Sequence, residues 1–181
     1  MGSSQQKNYY FDTCTIVDAI NHASPHYTNV RQALQQIKAG SVVSEYMEVE
    51  LKGVLRKSKF NEVKDMLLGE YVRLKRMLRA RWIPNDRSIM DLHKIAKRLQ
   101  KDVRSLCRGS YPKFPDMVHI SICGLKNITS IVSEDWHIYG RTGQGIPFIE
   151  IVKEVITRNF YRISNPKHVY TTRQGYLKQE V

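Results

Sequence analysis

Short apolar segments alternate in this sequence with longer segments in which apolar residues recur every three to four positions. The first pattern is typical of buried strands and the second of amphipathic helices. The strand candidates are residues 8–11, 41–44, 128–133 and 160–163, and the helix candidates are residues 16–24, 30–39, 47–55, 61–82, 88–107, 114–125 and 148–157. Because strands that alternate with helices form parallel sheets covered on both faces, the pattern predicts a three-layer α/β/α sandwich, without giving the strand order.

The length of 181 residues suits one substantial core, so we expect a single domain over residues 8–168. We expect residues 1–7 to be a disordered or tag-derived segment and residues 169–181 to be a polar tail. No apolar run approaches the roughly 20 residues needed to cross a bilayer, and the polar start lacks the apolar core of a signal peptide. These features predict a cytoplasmic protein that does not contact a membrane. The three widely spaced cysteines favour packing roles over a metal site or a disulfide framework.

Basic residues are concentrated in one part of the chain. The formal net charge is +12, and residues 71–113 hold thirteen Lys or Arg against three Asp. A charge-rich helix is often only a solvated surface, but one-sided charge favours contact with a polyanion. We therefore predict a basic helical insertion over residues 71–113 that binds nucleic-acid phosphates. The predicted contact residues are Arg73, Arg76, Lys94, Lys97, Arg98, Lys101, Arg104 and Arg108. Tyr71, Trp82 and Tyr111 border this segment and could stack on bases, although core packing explains Trp82 equally well.

Four acids occupy the positions where the predicted strands end or the following helices begin. Asp12 and Asp135 follow strands, while Glu50 and Asp116 lie in the first turns of helices. Ligands of open α/β sheets bind outside the carboxyl ends of the strands, so these acids are expected to converge there. Clustered carboxylates repel one another unless protons or cations neutralise them, and oxygen ligands suit Mg²⁺ or Mn²⁺. The pattern predicts a divalent-cation site that polarises a phosphate and activates water.

The order of these acids resembles that of the PIN-domain family. The matching fragments are Tyr9-Tyr10-Phe11-Asp12-Thr13, the Ser44 and Glu50 pair in SEYMEVE, Pro115-Asp116-Met117-Val118-His119-Ile120, Val132-Ser133-Glu134-Asp135 and Asn165-Pro166-Lys167. The resemblance spans about residues 8–168, and the basic segment is a departure from the minimal pattern. By this resemblance the chain would be an Mg²⁺- or Mn²⁺-dependent endoribonuclease, with RNA favoured over DNA and products carrying a 5′ phosphate. Asp12, Glu50, Asp116 and Asp135 would be the metal ligands, and Thr13 and Ser133 would add hydroxyl contacts.

The same resemblance leaves two other functions open. Several family members are VapC-type toxins held inactive by an antitoxin, and a homodimer is plausible on the same ground. A degenerate, non-catalytic PIN fold that serves as an RNA-binding or assembly module is the second alternative, against which the retention of all four acids counts.

Several neighbouring residues have two explanations in the sequence alone. Thr13 is equally well explained as a helix cap. Asp18 is expected to be a surface charge, with a place in the cleft as the alternative. His119, one helical turn after Asp116, is either a phosphate donor or an ordinary helix histidine. His137 has no ligand spacing and is assigned no role. Strand alternation is expected to turn Glu134 away from the site of Asp135.

Overall fold

The computed structural model of the protein describes residues 7–37, 40–85, 88–107, 109–159, 163–165 and 167–180. Three predictions fall largely outside these residues: the N-terminal segment at residues 1–7, the strand at residues 160–163, and Arg108 as a nucleic-acid contact. Within the described ranges, no helix is long and apolar enough to cross a membrane.

A six-stranded sheet forms the centre of the molecule, as the alternating pattern predicted. Its strands are β1 Tyr9–Phe11, β2 Ser41–Ser44, β3 Arg81–Ile83, β4 Ser130–Val132, β5 His168–Thr171 and β6 Lys178–Gln179. They lie in the order β3-β2-β1-β4-β5-β6. The first five strands are parallel, with Tyr10 opposite Val42 and Ile131, and only β6 runs antiparallel to its neighbour. The carboxyl ends of β1, β2 and β4 therefore meet at one edge of the sheet.

Helices cover both faces of this sheet and complete the predicted sandwich. They are α1 Thr13–Ile20, α2 Tyr27–Gln35, α3 Glu45–Leu55, α4 Lys64–Met77, α5 Ser88–Leu106, α6 Phe114–Leu125, α7 Trp136–Tyr139 and α8 Phe148–Asn159, with a short 3-10 turn at Ser58–Phe60. Successive strand residues point to opposite faces. Tyr10 and Ile131 accordingly pack in a core with α5, α6 and α8, while Phe11 and Val132 pack in a second core with α1 to α4.

The helix predicted over residues 61–82 is wrong in its last third. α4 ends at Met77, Arg79 adopts a left-handed backbone with φ of 47°, and Arg81–Ile83 then forms strand β3 beside β2. The sequence hides this break because the helical spacing of its apolar residues continues to Leu78, and no glycine or proline lies at residues 77–83 to mark the end of the helix. The segment predicted as a basic insertion thus contributes an edge strand to the sheet, and α5 belongs to the helical layer that packs on α6 and α8.

The polar tail predicted at residues 169–181 is also wrong. Residues 168–171 form β5, which pairs with β4, and residues 178–179 form β6. Val169 and Tyr170 are buried on opposite faces of the sheet, but His168 and Thr171 on either side of them are polar, so no longer apolar run reveals this strand. Its position brings the loop after residue 171 to the same edge as the predicted acids.

Candidate active site

A cleft of about 260 Å³ opens at the carboxyl ends of the strands. It brings together all four acids that were predicted as metal ligands, although they come from distant segments of the chain. Its lining residues are Asp12, Thr13, Cys14, Val17, Asp18, Glu50, Val54, Asp116, His119, Asp135 and Arg173. The cleft thus holds five carboxylates and one arginine, an arrangement that attracts cations.

Asp12 is fixed at the bottom of the cleft by hydrogen bonds to both of its oxygens. It is the N-cap of α1, where Oδ1 accepts from the Thr15 amide at 3.0 Å, so the alternative of Thr13 as the cap is wrong. The Ser133 hydroxyl and the Cys14 thiol both donate to Oδ2, the thiol at 3.0 Å. Burial raises the pKa of Asp12 in spite of the opposing effects of His119 and these donors.

A chain of hydrogen bonds leads from β2 to Glu50 at the wall of the cleft. The Glu50 carboxylate accepts from the Thr13 hydroxyl and, at 2.8 Å, from Nε2 of His119. With Nε2 as the donor, Nδ1 of a neutral ring accepts from the Tyr10 hydroxyl at 2.8 Å, and Tyr10 in turn accepts from Ser44 at 2.8 Å. Burial opposes ionisation of Glu50, but the hydrogen bond from His119, supported by that from Thr13, outweighs it and lowers the pKa of Glu50. Both ring nitrogens of His119 are therefore engaged in orienting Glu50.

Of the four predicted acids, Asp116 and Asp135 belong to one group of possible metal ligands, whereas Asp12 and Glu50 line the same cleft outside this group. One ligand atom each from Asp116, Asp135 and His137 lies within 4.8 Å of the other two, which is suitable for a shared cation. Burial raises the pKa of Asp116 to about 6, and the charge of Asp135 adds to this effect, although the Lys113 amide opposes it. A bound cation would favour the ionised form instead. His137 was not identified from the sequence because its two-residue separation from Asp135 is not a recognised ligand spacing.

Helix capping occupies only one of the two carboxylate oxygens of Asp116 and of Asp135. Oδ2 of Asp116 accepts from the Lys113 amide at 2.6 Å, and Oδ1 of Asp135 accepts from the backbone amide of His137 at 2.8 Å and from its ring at 2.9 Å. Among the residues that the structure describes, none donates a hydrogen bond to Oδ1 of Asp116 or to Oδ2 of Asp135. Each acid thus keeps one oxygen for a further ligand while the other orients the side chain.

Cys14 is not suited to nucleophilic chemistry, although it lines the cleft. Burial and the neighbouring Asp12 carboxylate raise the pKa of its thiol well above the ordinary range. The thiolate is the nucleophilic form, so a thiol held protonated is inert. Cys14 is therefore a hydrogen-bond donor to Asp12, as the prediction of a packing role implies.

Arg173 is a cleft residue that the sequence prediction missed, because it lies in the segment assigned to the tail. Its Nη2 donates to Oδ2 of Asp18 at 3.2 Å, and its Nε lies 3.4 Å from Oε2 of Glu134. The buried Glu134 carboxylate also accepts from the amide and hydroxyl of Thr172, at 2.5 and 2.7 Å. Of the two alternatives for Asp18, the structure selects the one in which it lines the cleft.

The residues predicted to contact nucleic acid fall into two groups. Five of them, Lys94, Lys97, Arg98, Lys101 and Arg104, line one groove on α5 of about 560 Å³ together with Gln100 and Tyr111. Arg73 and Arg76 lie instead on α4, which packs in the other helical layer.

The three aromatic residues proposed for base stacking have different environments. Tyr71 is only 6% exposed and donates to Glu48 at 2.7 Å, so stacking on a base is excluded. Trp82 on the edge strand is 44% exposed, and core packing does not account for it. The Arg104 guanidinium lies 5.2 Å from the centre of the Tyr111 ring, which places a cation against this aromatic in the α5 groove.

Comparison with known proteins supports the fold but gives no close relative. A crystal structure of the toxin VapC20 from Mycobacterium tuberculosis, described as cleaving the sarcin-ricin loop, superposes with a TM-score of 0.53 at 15% identity over 71% of this chain and 91% of that one. The VapBC2 structure from Rickettsia felis, bound to a DNA fragment from its promoter, has a TM-score of 0.49 at 19% identity, over 76% of this chain and 95% of that one. No family model matches the chain, and no curated protein matches it significantly.

Proposed function

We propose that this chain, which has the PIN-like fold of VapC-type proteins, is a metal-dependent nuclease that hydrolyses phosphodiester bonds. The observation that carries the proposal is the meeting of Asp12, Glu50, Asp116 and Asp135 in one cleft. They come from the residues after β1 and β4, from the second turn of α3 and from the first turn of α6, so the sequence expectation of Glu50 in a first turn is wrong. A purely structural role would not require acids from four separate segments to share one small cavity, because clustered carboxylates repel one another.

The donor set fits a divalent cation such as Mg²⁺ or Mn²⁺. The cluster of Asp116, Asp135 and His137 offers ligand atoms close enough to share an ion, and a bound cation would offset the burial and the charge of Asp135 that raise the pKa of Asp116. Carboxylate oxygens suit both ions, while an imidazole favours Mn²⁺ over Mg²⁺. One or two such ions supply Lewis-acid chemistry, since they make water a better nucleophile and neutralise charge on the phosphate.

The protein residues hold this site in a fixed arrangement. Ser133 and Thr13 donate their hydroxyl hydrogens to Asp12 and Glu50, so both hydroxyls act by orienting carboxylates. His119 keeps Glu50 ionised, which suits a metal ligand or an acceptor for a water hydrogen. Fixed ligands of this kind need no reorganisation when a substrate arrives, and this lowers the barrier to reaction.

The α5 groove is the proposed track for the nucleic-acid backbone. Its cations would neutralise phosphates without reading sequence. Tyr111 in this groove precedes Asp116 by five residues, so the groove begins within about 18 Å of the cleft, the most that five extended residues can span. RNA is the preferred substrate by the family resemblance, and the superposed VapC20 is described as a toxin that cleaves the sarcin-ricin loop. The remaining predicted contacts are Arg73 and Arg76, which lie on α4 in the other helical layer, and Arg108.

Cleavage of labelled RNA and DNA with Mn²⁺, with EDTA and with two matched variants tests this proposal. Asp116→Asn removes a cleft acid from the first turn of α6, and Asp65→Asn removes an exposed acid from the first turn of α4. We expect Mn²⁺-dependent cleavage of RNA by the wild type, a loss of about 100-fold or more in Asp116→Asn, and no change in Asp65→Asn. Equal cutting by Asp116→Asn would assign the activity to a contaminant or to another site.

A toxin controlled by an antitoxin is the alternative that the VapC20 superposition favours. It has the same chemistry, and it adds a small protein that occupies the groove or cleft. Co-purification of such a partner from the native source, with loss of cleavage when it is bound, would support this role. A homodimer is expected on the same ground, and light scattering measures it. RNA binding without cleavage under all metal conditions would instead indicate the non-catalytic module.

A further inference from the structure

Arg173 lies in the cleft among five carboxylates. We propose that Arg173 binds a phosphate of the substrate, donating hydrogen bonds to its non-bridging oxygens beside the acids. Among the described residues that line the cleft, it is the only Lys or Arg. The identity of the substrate as a nucleic acid rests on the proposed function, whereas the phosphate site rests on the geometry around Arg173.

The loop that carries Arg173 is anchored on three sides. Thr172 donates its amide and its hydroxyl to the buried carboxylate of Glu134, directly before Asp135 in the chain. The backbone oxygen of Arg173 accepts from Nδ2 of Asn29 at 2.8 Å. This loop follows β5, which pairs with β4, so the anchoring fixes the arginine relative to the strand end that carries Asp135. A guanidinium held in this way loses little freedom when it binds a ligand.

The guanidinium retains donors for a ligand in spite of its two acidic neighbours. Arginine has five N–H groups, and the hydrogen bond that Arg173 forms with a described side chain runs from Nη2 to Asp18. Its Nε is buried and lies 3.4 Å from Glu134 without forming a hydrogen bond. The side chain is 38% exposed. A planar fork with unused donors matches the two non-bridging oxygens of a phosphodiester.

Charge in the cleft gives this arginine a specific role. Asp12, Asp18, Glu50, Asp116 and Asp135 all repel a phosphodiester that approaches without a counterion. A cation bound by Asp116 and Asp135 would neutralise one side of the phosphate. Arg173 supplies the fixed positive charge on the wall near Asp18, so a substrate phosphate would be held from two directions.

The competing explanation is that Arg173 serves only as an ion-pair partner of Asp18 and Glu134. The two explanations differ in the effect expected for Asp18→Asn. If Arg173 serves only as an ion-pair partner, Asp18→Asn and Arg173→Gln break the same ion pair. Both variants should then weaken phosphate binding to a similar extent. If Arg173 binds phosphate, Asp18→Asn removes a competing carboxylate and a like charge, and phosphate binding is not weakened.

The first experiment does not require cleavage. Binding of adenosine 5′-monophosphate is measured by calorimetry in the presence of Mg²⁺ for the wild type, Arg173→Gln, Arg173→Lys and Asp18→Asn. Arg158→Gln is the matched control, because Arg158 is also ion-paired, with Glu154 on α8, but does not line the cleft. Thermal unfolding checks each fold, and Arg173→Lys, which keeps the charge but loses the planar fork, replaces Arg173→Gln if that variant does not fold.

We expect Arg173→Gln to raise the Kd by about 10-fold, the lower end for a hydrogen bond between charged groups. Arg173→Lys should lie between Arg173→Gln and the wild type, Asp18→Asn should not raise the Kd, and Arg158→Gln should match the wild type. Wild-type affinity in Arg173→Gln, no binding by the wild type, or equal weakening by Asp18→Asn and Arg173→Gln would each overturn the proposal.

A second experiment places the phosphate relative to the cleaved bond. The cleavage site of a short RNA is mapped with the wild-type protein, and single neutral methylphosphonates are then introduced at the neighbouring linkages. The rise in KM caused by Arg173→Gln should disappear at one of these linkages, since the contacted charge is already absent there. The same rise at every linkage would contradict a direct contact. Arg173-dependent nucleotide binding without any cleavage would reject the nuclease and leave the phosphate site intact.

Discussion

Replacing Asp116 by Asn should stabilise the protein when no divalent cation is present, even though Asp116 lies at the start of a helix. The residue is only 7% exposed, and burial, with the charge of Asp135 in support, raises its pKa to about 6 from the usual 3.8. Keeping the carboxyl ionised in the folded protein at pH 8 therefore costs about 3 kcal/mol, at about 1.4 kcal/mol for each factor of ten in the acid constant.

The amide would recover most of this free energy. Its carbonyl oxygen can still accept from the Lys113 amide, which donates to Asp116 at 2.6 Å, but the favourable interaction of a negative charge with the helix dipole, about 1 kcal/mol, is lost. The net gain is about 2 kcal/mol, which corresponds to a rise in Tm of roughly 4–8 °C for a chain of this size. Because the folded pKa is raised, the stability that this group contributes to the wild type is present below about pH 4 and is lost as the pH rises through about 6.

Thermal unfolding in EDTA between pH 4 and 8 measures the effect, with Asp65→Asn as the control for an exposed acid in a first helical turn. Added Mn²⁺ should reverse the order, since a ligand at 100 times its Kd stabilises the wild type by about 2.7 kcal/mol and Asp116→Asn by much less. If Asp116→Asn is less stable than the wild type at pH 8 in EDTA, Asp116 acts mainly as a helix-start acceptor, and the reasoning fails.

Two further predictions concern the groove and the wall of the cleft. Lys97→Gln and Lys101→Gln should each weaken RNA binding in anisotropy titrations and reduce the slope of log affinity against log salt concentration by about 0.7. The control Lys52→Gln on α3 should change neither quantity. Unchanged slopes in the two α5 variants would contradict a phosphate track on α5. Glu50→Gln should lower the free energy of urea unfolding by about 1 kcal/mol at pH 6, because a charged hydrogen bond to His119 is replaced by a neutral one. Because the pKa of Glu50 is lowered in the folded protein, its ionised form contributes stability above the ordinary pKa of 4.5, and this stability is lost as the pH falls through the folded pKa. The free energies of unfolding of the wild type and Glu50→Gln should therefore converge at pH 3. A difference that does not depend on pH would refute this cause.

The parts of the fold with strong local signals could be predicted from the sequence. The helix opened by Phe114-Pro115-Asp116 and the strand at Ser41–Ser44 appear at the expected places, because a proline in the first turn and a short apolar run act locally. Strand β3 could not be predicted, since Arg79 adopts its left-handed conformation without the glycine that usually marks such a turn. Its pairing with β2, rather than local preference, makes residues 81–83 a strand.

The same distinction applies to the site. The meeting of Asp12, Glu50, Asp116 and Asp135 could be predicted because the carboxyl ends of parallel strands lie along one edge of the sheet, where ligands bind. Arg173 could not, since its place depends on the pairing of β5 with β4, which no local pattern reveals.

The roles of two histidines were also not settled from the sequence, since His137 was assigned none and His119 was left with two alternatives. His137 lies beside Asp135 because α7 is a single short turn, and its ring bonds back to the acid that caps that turn. His119 lies in the middle of α6, where its two ring nitrogens connect Tyr10 to Glu50 across the sheet edge. Both contacts depend on side-chain direction after folding, and spacing along the chain does not encode it.

The central claim is that carboxylates from separate segments share a divalent cation in the cleft. Anomalous diffraction from crystals soaked in Mn²⁺ measures this directly, with Asp116→Asn crystals treated in the same way. We predict a manganese peak about 2 Å from oxygens of Asp116 and Asp135, absent or much weaker in the variant. Manganese found only on the protein surface, with no peak in a cleft open to solvent, would contradict the claim.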